Sequence, residues 1–392
     1  MEEHMRPGLA DPAPAWTPAP EWSFVGGNND AASVPFTGLA EALMVGLRRE
    51  GSNLAYYNLG GSPLGYEPLR EFVVSELGAR AGMAASPEQA LIVSGSLQAL
   101  DLVTDAMAGP GDTVLVEMGT YGGMITRLQR RGINYVGIDL DDRGLRLDHL
   151  RSELDRLQAQ GIAPRYLYTI PTVQNPTGSV MPHSRRVELL ELAREYNLPI
   201  FEDECYADLT WGCSRPDSLR ALDGDNGQVI YCGSFSKSIA PALRVGYIIA
   251  DQPVIQQLAA LKTDAGTGAL EQLALAEYCP ANFTNHVDQL MGALQVKAYA
   301  MVAAVRREFG VEVHVTEPMG GIYVWLTFPD GTDTDSFAAQ AADAGIEFNP
   351  GSGWSADPEW GKSRMRLCFG APSVASIDRG VAALAKIYRA SL

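Results

Sequence analysis

Short apolar runs rich in β-branched residues alternate with helix-like patterns over the middle of the chain. Each run is followed by a segment whose apolar residues recur at helical spacing, and this alternation is typical of a mostly parallel sheet covered by helices. The pattern therefore predicts an α/β fold with a three-layer α/β/α large domain and about seven strands. The predicted strands are residues 90–93, 113–117, 135–138, 165–170, 198–202, 229–232 and 245–250.

The pattern changes after Pro280, where a long helix is predicted around residues 287–309. Strands near 311–315, 322–328 and 365–369 and helices at 335–344 and 374–388 then follow without regular alternation, which favours a smaller α+β domain. We predict three regions. Residues 1–50 form an N-terminal arm and a segment that packs on the small domain, residues 51–285 form the large domain, and residues 286–392 form the small C-terminal domain.

Composition narrows the possible partners and compartment. The net charge of −17 repels polyanions, which argues against nucleic acid or an anionic membrane and favours a small-molecule substrate. Five scattered cysteines without CxxC spacing fit reduced thiols and indicate no metal site. The first 22 residues lack the features of a signal peptide, and no uncharged apolar stretch reaches the roughly 18 residues that span a bilayer. We therefore expect a cytoplasmic protein.

Lys237 is the first of only five lysines and lies just after the apolar run 229–232. In a parallel α/β sheet, ligands bind at the carboxyl ends of the strands, so this lysine is expected in the ligand crevice. Partial burial there would lower its pKa and provide the neutral amine that attacks an aldehyde. A surface lysine in a turn is the alternative.

Two segments could hold a phosphate. Ser234 and Ser236 precede Arg244, and these side chains together could bind a dianion through charge-assisted hydrogen bonds. The segment 94–100, Ser-Gly-Ser-Leu-Gln-Ala-Leu, runs from a strand into a helix whose first N–H groups favour an anion. An ordinary serine N-cap would explain the second segment equally well.

Polar side chains follow two further strands. Asp203 directly follows the run 198–202 and could pair with a protonated ring nitrogen. Tyr206 comes three residues later. Asn175 lies in Asn-Pro-Thr-Gly after the strand 165–170, and this rigid turn could hold an amide donor for a phenolate-like oxygen. A solvated carboxylate and a simple turn are the respective alternatives.

Taken together, these motifs resemble fold-type I enzymes that depend on pyridoxal 5′-phosphate (PLP), the class I/II aminotransferases. The resemblance is to the branch that contains 2-aminoadipate and kynurenine aminotransferases, and it implies the PLP-transferase fold. The matching stretches, in chain order, are residues 65–70, 94–100, 175–178, 203–206, 234–237 with Arg244, 320–325 and 366–367.

The resemblance implies a role for each matching residue. Lys237 would carry PLP as a Schiff base and move the proton, Asp203 would pair with the ring nitrogen, and Tyr121 would stack on the ring. Arg366 would bind the substrate carboxylate, with Arg364 as a structural neighbour, and Gly27 and Asn175 would line the substrate pocket. The other implied cofactor contacts are Asn175 and Tyr206 to the ring oxygen, and Ser96, Leu97, Gln98, Ser234, Ser236 and Arg244 to the phosphate.

The resemblance also implies a homodimer with active sites at the subunit interface, where a tyrosine reaches the neighbouring subunit's phosphate. Tyr57 is the candidate, and Tyr56 and Tyr66 are its competitors.

Two segments depart from the family pattern. Asn28, Asn29 and Asp30 could recognise a polar substrate side chain or form a solvated turn, and Gly119 with Gly122-Gly123 could loosen the backbone around Tyr121.

The implied reaction is ping-pong transfer of an amino group from an L-amino acid to a 2-oxo acid. Another PLP reaction on the same scaffold, such as elimination, cyclisation or oxidation of an amino acid, is the first alternative, because the fold does not decide among them. A more remote alternative is a ligand-sensing regulator with an aminotransferase-like domain. The acidic, proline-rich start of the chain does not resemble a DNA-binding module.

Overall fold

A computed structural model describes residues 18–391 of the chain. Its centre is a seven-stranded sheet in which every neighbouring pair is parallel except the two pairs made by Gly246–Ile249. The predicted mostly parallel sheet is therefore confirmed. In spatial order its strands are Ala90–Val93, Gly246–Ile249, Val229–Ser234, Ile200–Asp203, Leu167–Thr169, Thr113–Glu117 and Asn134–Ile138.

Helices cover both faces of this sheet, because alternate residues of each strand point to opposite sides. Within Thr113–Glu117, Val114 and Val116 pack into one apolar cluster and Leu115 packs into another. The first cluster includes helices Ser96–Met107, Gly122–Arg130 and Gln252–Leu261, and the second includes Leu147–Ala159 and His183–Glu195. This arrangement is the predicted three-layer architecture. Shorter helices are Glu67–Phe72, Leu219–Asp223 and Phe235–Ser238.

The C-terminal part packs a four-stranded antiparallel sheet against two helices, Ala269–Phe309 and Val374–Ser391. The strands, in spatial order, are His314–Val315, Tyr323–Thr327, Arg364–Cys368 and Asn349–Pro350. Short helices Ala338–Asp343 and Pro358–Gly361 complete this part.

The long helix differs from the prediction, because it begins at Ala269 rather than near Val287 and contains Pro280. Proline normally interrupts a helix, since it lacks the N–H that bonds four residues back. Here buried residues continue on both sides of Pro280, among them Cys279 and Phe283, so packing outweighs the local cost. The predicted division between residues 285 and 286 falls inside this helix, and the domain division stays a prediction.

The N-terminal segment contacts the C-terminal part. Trp22–Ser23 forms a short parallel pair with Ile346–Glu347, and the helix Phe36–Glu50 packs along Ala269–Phe309. The buried Phe24 ring lies where a Cβ on Gly380 would be only 2.6 Å away. The predicted arm lies mostly outside the described residues. Within residues 18–391, no helix combines the length and apolar character needed to cross a membrane.

Candidate active site

Four parallel strands end at one edge of the central sheet, and each is followed by a predicted site residue. Tyr121 follows Thr113–Glu117, Asn175 follows Leu167–Thr169, Asp203 ends Ile200–Asp203 and Lys237 follows Val229–Ser234. At this edge lies a cavity of about 240 Å³. Its lining residues are Gly26, Gly27, Tyr121, Asn175, Tyr206, Lys237, Asn349, Trp354 and Arg366.

The Lys237 amine points into this cavity. Its Nζ donates a hydrogen bond to the Gly27 carbonyl at 2.7 Å and lies 5.7 Å from the centre of the Tyr206 ring. Burial lowers the pKa of the Lys237 amine below its usual value, because the charged form loses hydration. A Cβ at position 27 would lie 2.5 Å from this Nζ, so a larger residue there would displace the lysine amine.

Asp203 is buried at the end of its strand and is held in a fixed orientation. Its Oδ2 accepts a 2.7 Å hydrogen bond from the Tyr168 hydroxyl, and its Oδ1 accepts one from the Cys205 N–H at 3.2 Å. Burial raises the pKa of Tyr168 well above its usual value, so the phenol stays protonated and donates. The carboxylate is thus pre-oriented for a cationic partner.

Arg366 lies on the opposite side of the cavity and is only 2% exposed. Its Nη1 donates to the Asn175 Oδ1 at 3.1 Å, and its Nη2 donates to the Gly26 carbonyl at 2.8 Å and to the Asn349 Oδ1 at 2.9 Å. The guanidinium stacks on Trp354 at 3.5 Å from the ring centre. Its Nε is buried without a partner in the described part of the chain.

Arg364 is placed differently. It stacks on the Trp360 ring at 3.6 Å and bonds to the Trp360 carbonyl, which agrees with a structural role.

The residues predicted to hold a phosphate meet at the start of the helix Ser96–Met107. The Arg244 guanidinium lies against this end of the helix. Its Nη2 is so close that a Cβ placed on Gly95 would be only 2.5 Å away. Arg244 also donates to the Ser236 Oγ at 3.3 Å, and the Ser234 Oγ accepts from the Ser236 N–H at 3.1 Å. Hydroxyls, a guanidinium and a helix N-terminus therefore converge, with Ser96 and Leu97 as the first helical residues.

Gln98 does not join this group through its side chain. Its Oε1 accepts from the Ser94 N–H at 2.8 Å and its Nε2 donates to Asp264 at 2.7 Å. The side chain instead links the start of the helix to the loop that carries Asp264.

Aromatic rings form two walls of the cavity. Tyr206 packs edge-on against Tyr323, with ring centres 5.1 Å apart, and Tyr121 lies 5.8 Å from Trp354. The glycines around Tyr121 permit close approach, because a Cβ on Gly122 would lie 2.2 Å from the Gly353 carbonyl. They bring Tyr121 next to the segment that carries Trp354, whereas the sequence suggested only a looser backbone.

The polar loop at residues 28–30 does not line the cavity. Asn29 is buried and donates to the Lys237 main-chain carbonyl at 2.8 Å, and Asp30 forms a 2.9 Å ion pair with Lys297. Only Asn28 is exposed. Neither sequence alternative, recognition of a substrate side chain or a solvated turn, describes Asn29 and Asp30.

The three candidate interface tyrosines lie away from the cavity. Tyr57 and Tyr56 are 81% and 66% exposed, whereas the Tyr66 hydroxyl bonds within the chain to Arg49 and Glu50. The Tyr66 hydroxyl is therefore already engaged within its own chain, and which tyrosine reaches the neighbouring subunit stays a prediction.

Three comparisons place this geometry among known proteins. The family model "Aminotransferase class I and II" matches residues 29–384. The 2-aminoadipate transaminase of Thermus thermophilus is 34% identical over 94% of this chain and 90% of its own length. The Pyrococcus horikoshii kynurenine aminotransferase structure, in complex with PMP, aligns with a TM-score of 0.88 and 32% identity over 94% of this chain and 91% of that one.

The chain belongs to the class I and II aminotransferases. This confirms the predicted family, fold, enzyme class and PLP cofactor. Relatives also include an HTH-type transcriptional regulator of Bacillus subtilis, described as uncharacterized, which is 32% identical over 83% of this chain and 66% of its own length.

Three cavity residues of this aminotransferase were not predicted, namely Gly26, Asn349 and Trp354. Trp354 ends the segment Pro350-Gly351-Ser352-Gly353-Trp354, and Asn349 precedes it. A large aromatic residue that follows a glycine-rich turn is a usable signal, because such a turn lets a ring approach the backbone of another loop. Asn349 carried no such signal, since only the pairing of its strand with Arg364–Cys368 brings it opposite Arg366.

Two cysteines lie behind the site. The thiols of Cys205 and Cys232 and an Asp203 oxygen all lie within 4.8 Å of one another. The contact with Cys232 and burial raise the pKa of the Cys205 thiol well above its usual value, so it stays protonated.

A buried network fixes the loops that carry Asn175 and Tyr121. Gln174 donates from its Nε2 to Glu117 at 2.8 Å and to the Gly119 carbonyl at 2.7 Å, and its Oε1 accepts from the Thr177 N–H. Glu117 also accepts hydrogen bonds from Thr169 and from the Ile170 N–H. Burial raises the pKa of Glu117 to about 7.

We expect this carboxyl to make stability depend on pH. Its folded pKa of about 7 lies above the ordinary 4.5, so the folded state holds the proton more tightly. The stabilisation is complete below about pH 4.5 and is lost as pH rises towards 7. Across this range the free energy of unfolding of the native protein should fall relative to Glu117→Gln by roughly 3 kcal/mol, measured by denaturant titration.

The exposed Glu191→Gln variant is the control and should follow the native pH profile. Equal slopes for the native protein and Glu117→Gln would contradict a raised pKa at Glu117.

Proposed function

We propose that this aminotransferase moves an amino group between an L-amino acid and a 2-oxo acid by a ping-pong mechanism, with Lys237 as the covalent anchor of PLP. The observation that carries the proposal is a buried amine of lowered pKa that lies in one cavity with an arginine guanidinium. The amine is suited to attack an aldehyde and the guanidinium to hold a carboxylate.

The residues of the cavity fit PLP. The hydroxyls of Ser234 and Ser236, the Arg244 guanidinium and the start of the helix Ser96–Met107 offer donors for its phosphate. Asp203 offers a buried carboxylate for its ring nitrogen, and Tyr121 an aromatic face for its ring. The Asn175 amide and Tyr206 hydroxyl would serve the ring oxygen. Bound PLP supplies an electron sink that stabilises negative charge at the substrate α-carbon.

The side chains then divide the remaining work. Arg366 would hold the substrate carboxylate through its guanidinium, which lines the cavity. The Lys237 amine, whose pKa is lowered by burial, would take the proton from the substrate α-carbon. Asp203, fixed by Tyr168, would hold the proton of the cofactor's ring nitrogen when PLP is bound. Tyr121 and Trp354 exclude water from one side of the cavity.

A homodimer is proposed from the exposed surface. Phe36, Met44, Val45, Leu54 and Tyr57 are between 45% and 81% exposed and all lie within residues 36–57. Large apolar side chains concentrated in one surface segment are typical of a protein interface. We infer that this segment meets a second copy, whose phosphate site Tyr57 reaches.

A cytoplasmic location is also proposed. All five cysteines lie within the described residues and are free thiols. Two of them, Cys232 and Cys368, are buried in strands. Unpaired cysteines are typical of a reducing compartment.

The role of Lys237 is tested by Lys237→Ala. We expect transamination to fall by on the order of a thousandfold or more, because both the anchor and the proton carrier are lost. Borohydride should fix the cofactor to the native chain at Lys237, as peptide mass spectrometry would show. Lys386→Ala, on an exposed part of the last helix, should behave as the native enzyme. Full activity of Lys237→Ala would refute the proposed role.

The role of Arg366 is tested by Arg366→Lys. A lysine keeps the charge but not the planar fork, so kcat/KM for amino acids should fall on the order of a hundredfold. Most of the loss should appear as a higher KM. Arg364→Lys is the matched control and should change kcat/KM little. An unchanged KM in Arg366→Lys would assign the carboxylate to another residue.

The shared active site is tested by mixing two weak variants. Tyr57→Phe loses its hydroxyl and Lys237→Ala loses its amine. In a mixed dimer one site combines Lys237 from one subunit with Tyr57 from the other. Refolding the two variants together should therefore restore up to about a quarter of the native activity. Activity no higher than the average of the two separate variants would argue against a shared site.

A panel of amino acids, each with 2-oxoglutarate as acceptor, would identify the donor. The named activities of the relatives make 2-aminoadipate and kynurenine the first compounds to include.

A further inference from the structure

The main-chain carbonyl of Lys237 lies near the end of a short helix and has no hydrogen-bond donor within that helix. This helix, Phe235–Ser238, has only four residues. In a longer helix the Lys237 carbonyl would accept from the N–H of residue 241. Residue 241 is proline and has no N–H, so the Lys237 carbonyl needs a partner from elsewhere.

Asn29 supplies this partner. Its Nδ2 donates to the Lys237 carbonyl at 2.8 Å across 208 residues of sequence. Because a carbonyl can only accept, this bond also fixes which way the amide points. The Asn29 Oδ1 is buried and meets no donor among residues 18–391. Asn29 is 7% exposed, so its side chain is retained inside the protein although one of its two polar ends is unsatisfied.

The loop around Asn29 is fixed at several further points. The Gly26 carbonyl accepts from Arg366 at 2.8 Å, and the Gly27 carbonyl accepts from the Lys237 Nζ at 2.7 Å. Asp30 pairs with Lys297, whose Nζ also donates to the Gly370 carbonyl at 2.8 Å. Residues 26–30 therefore contact Lys237 at both ends, its main chain through Asn29 and its amine through Gly27.

We propose that Asn29 is a positioning residue for the reaction: its amide completes the end of the Lys237 helix and thereby sets where the lysine amine reaches. This inference rests on the proposed role of Lys237. Loss of the amide leaves the Lys237 carbonyl without its bond and lets the four-residue helix turn. The amine then approaches the cofactor and the α-carbon less accurately, whereas carboxylate binding at Arg366 is unchanged.

The first test compares Asn29→Leu with the native holoenzyme. We expect kcat to fall on the order of tenfold, with KM for the amino acid changed less than about twofold. The pH midpoint of the visible band of bound PLP should shift by about half a unit or more, since the environment of Lys237 changes. Melting should change little, because the variant also removes the unsatisfied Oδ1.

A second variant separates the hydrogen bond from packing. Asn29→Asp has nearly the same shape, but its side chain can donate only when protonated. Its kcat relative to the native enzyme should therefore rise as pH is lowered, whereas the Asn29→Leu ratio should stay flat. The pH response of Asn29→Asp relative to the native enzyme remains informative if Asn29→Leu does not fold.

Asn28→Ala is the matched control, because Asn28 is the exposed neighbour in the same loop. It should match the native enzyme in kcat and in the visible-band titration. Native kcat and band midpoint in Asn29→Leu, or equal pH ratios for the Asp and Leu variants, would overturn the inference. A lower melting temperature without a shifted band midpoint would do so too. If Lys237→Ala were fully active, the proposed function itself would fail instead.

Discussion

Two basic side chains set the conditions for the rest of this site. Lys237 and Arg366 approach the cavity from different parts of the fold, and each must be compensated where water is scarce. The compensation comes from adjacent carbonyls of one dipeptide, Gly26-Gly27, rather than from carboxylates. A carboxylate at either place would neutralise the cation and compete with an anionic substrate. Neutral carbonyl dipoles hold both groups and leave their chemistry available.

The sheet supplies the remaining geometry. Because four neighbouring strands are parallel, their carboxyl ends meet at one edge, and residues far apart in sequence come together there. The antiparallel strand Gly246–Ile249 matters as well, because it returns the chain so that Arg244 lies against the start of the helix Ser96–Met107. The network of Glu117 and Gln174 then joins two of the loops that leave this edge.

The sequence predicted the sheet closely, since its strands are short, apolar and separated by strong turn residues. It also predicted Lys237, Asn175 and Arg366, which line one cavity, and Asp203, which ends a strand at the same edge of the sheet. Contacts between residues far apart in the sequence were harder to predict. Asn29 has the composition of a solvated turn, and only tertiary contacts show that its amide is buried against Lys237. The helix start at Ala269 was missed because the local effect of Pro280 was given more weight than packing.

The short strand Trp22–Ser23 attaches the N-terminal loop to the C-terminal part of the chain. It pairs with Ile346–Glu347, and the Phe24 N–H donates to the Glu347 carbonyl while the Phe24 carbonyl accepts from Cys368. The loop that contacts Lys237 is therefore hydrogen-bonded to the C-terminal sheet rather than to the central sheet. Arg366 lies on the same C-terminal sheet, so a movement of that sheet would carry Arg366 and the Gly26-Gly27 dipeptide together. The arginine would keep its acceptor, whereas the Gly27 carbonyl would move relative to the Lys237 amine on the central sheet.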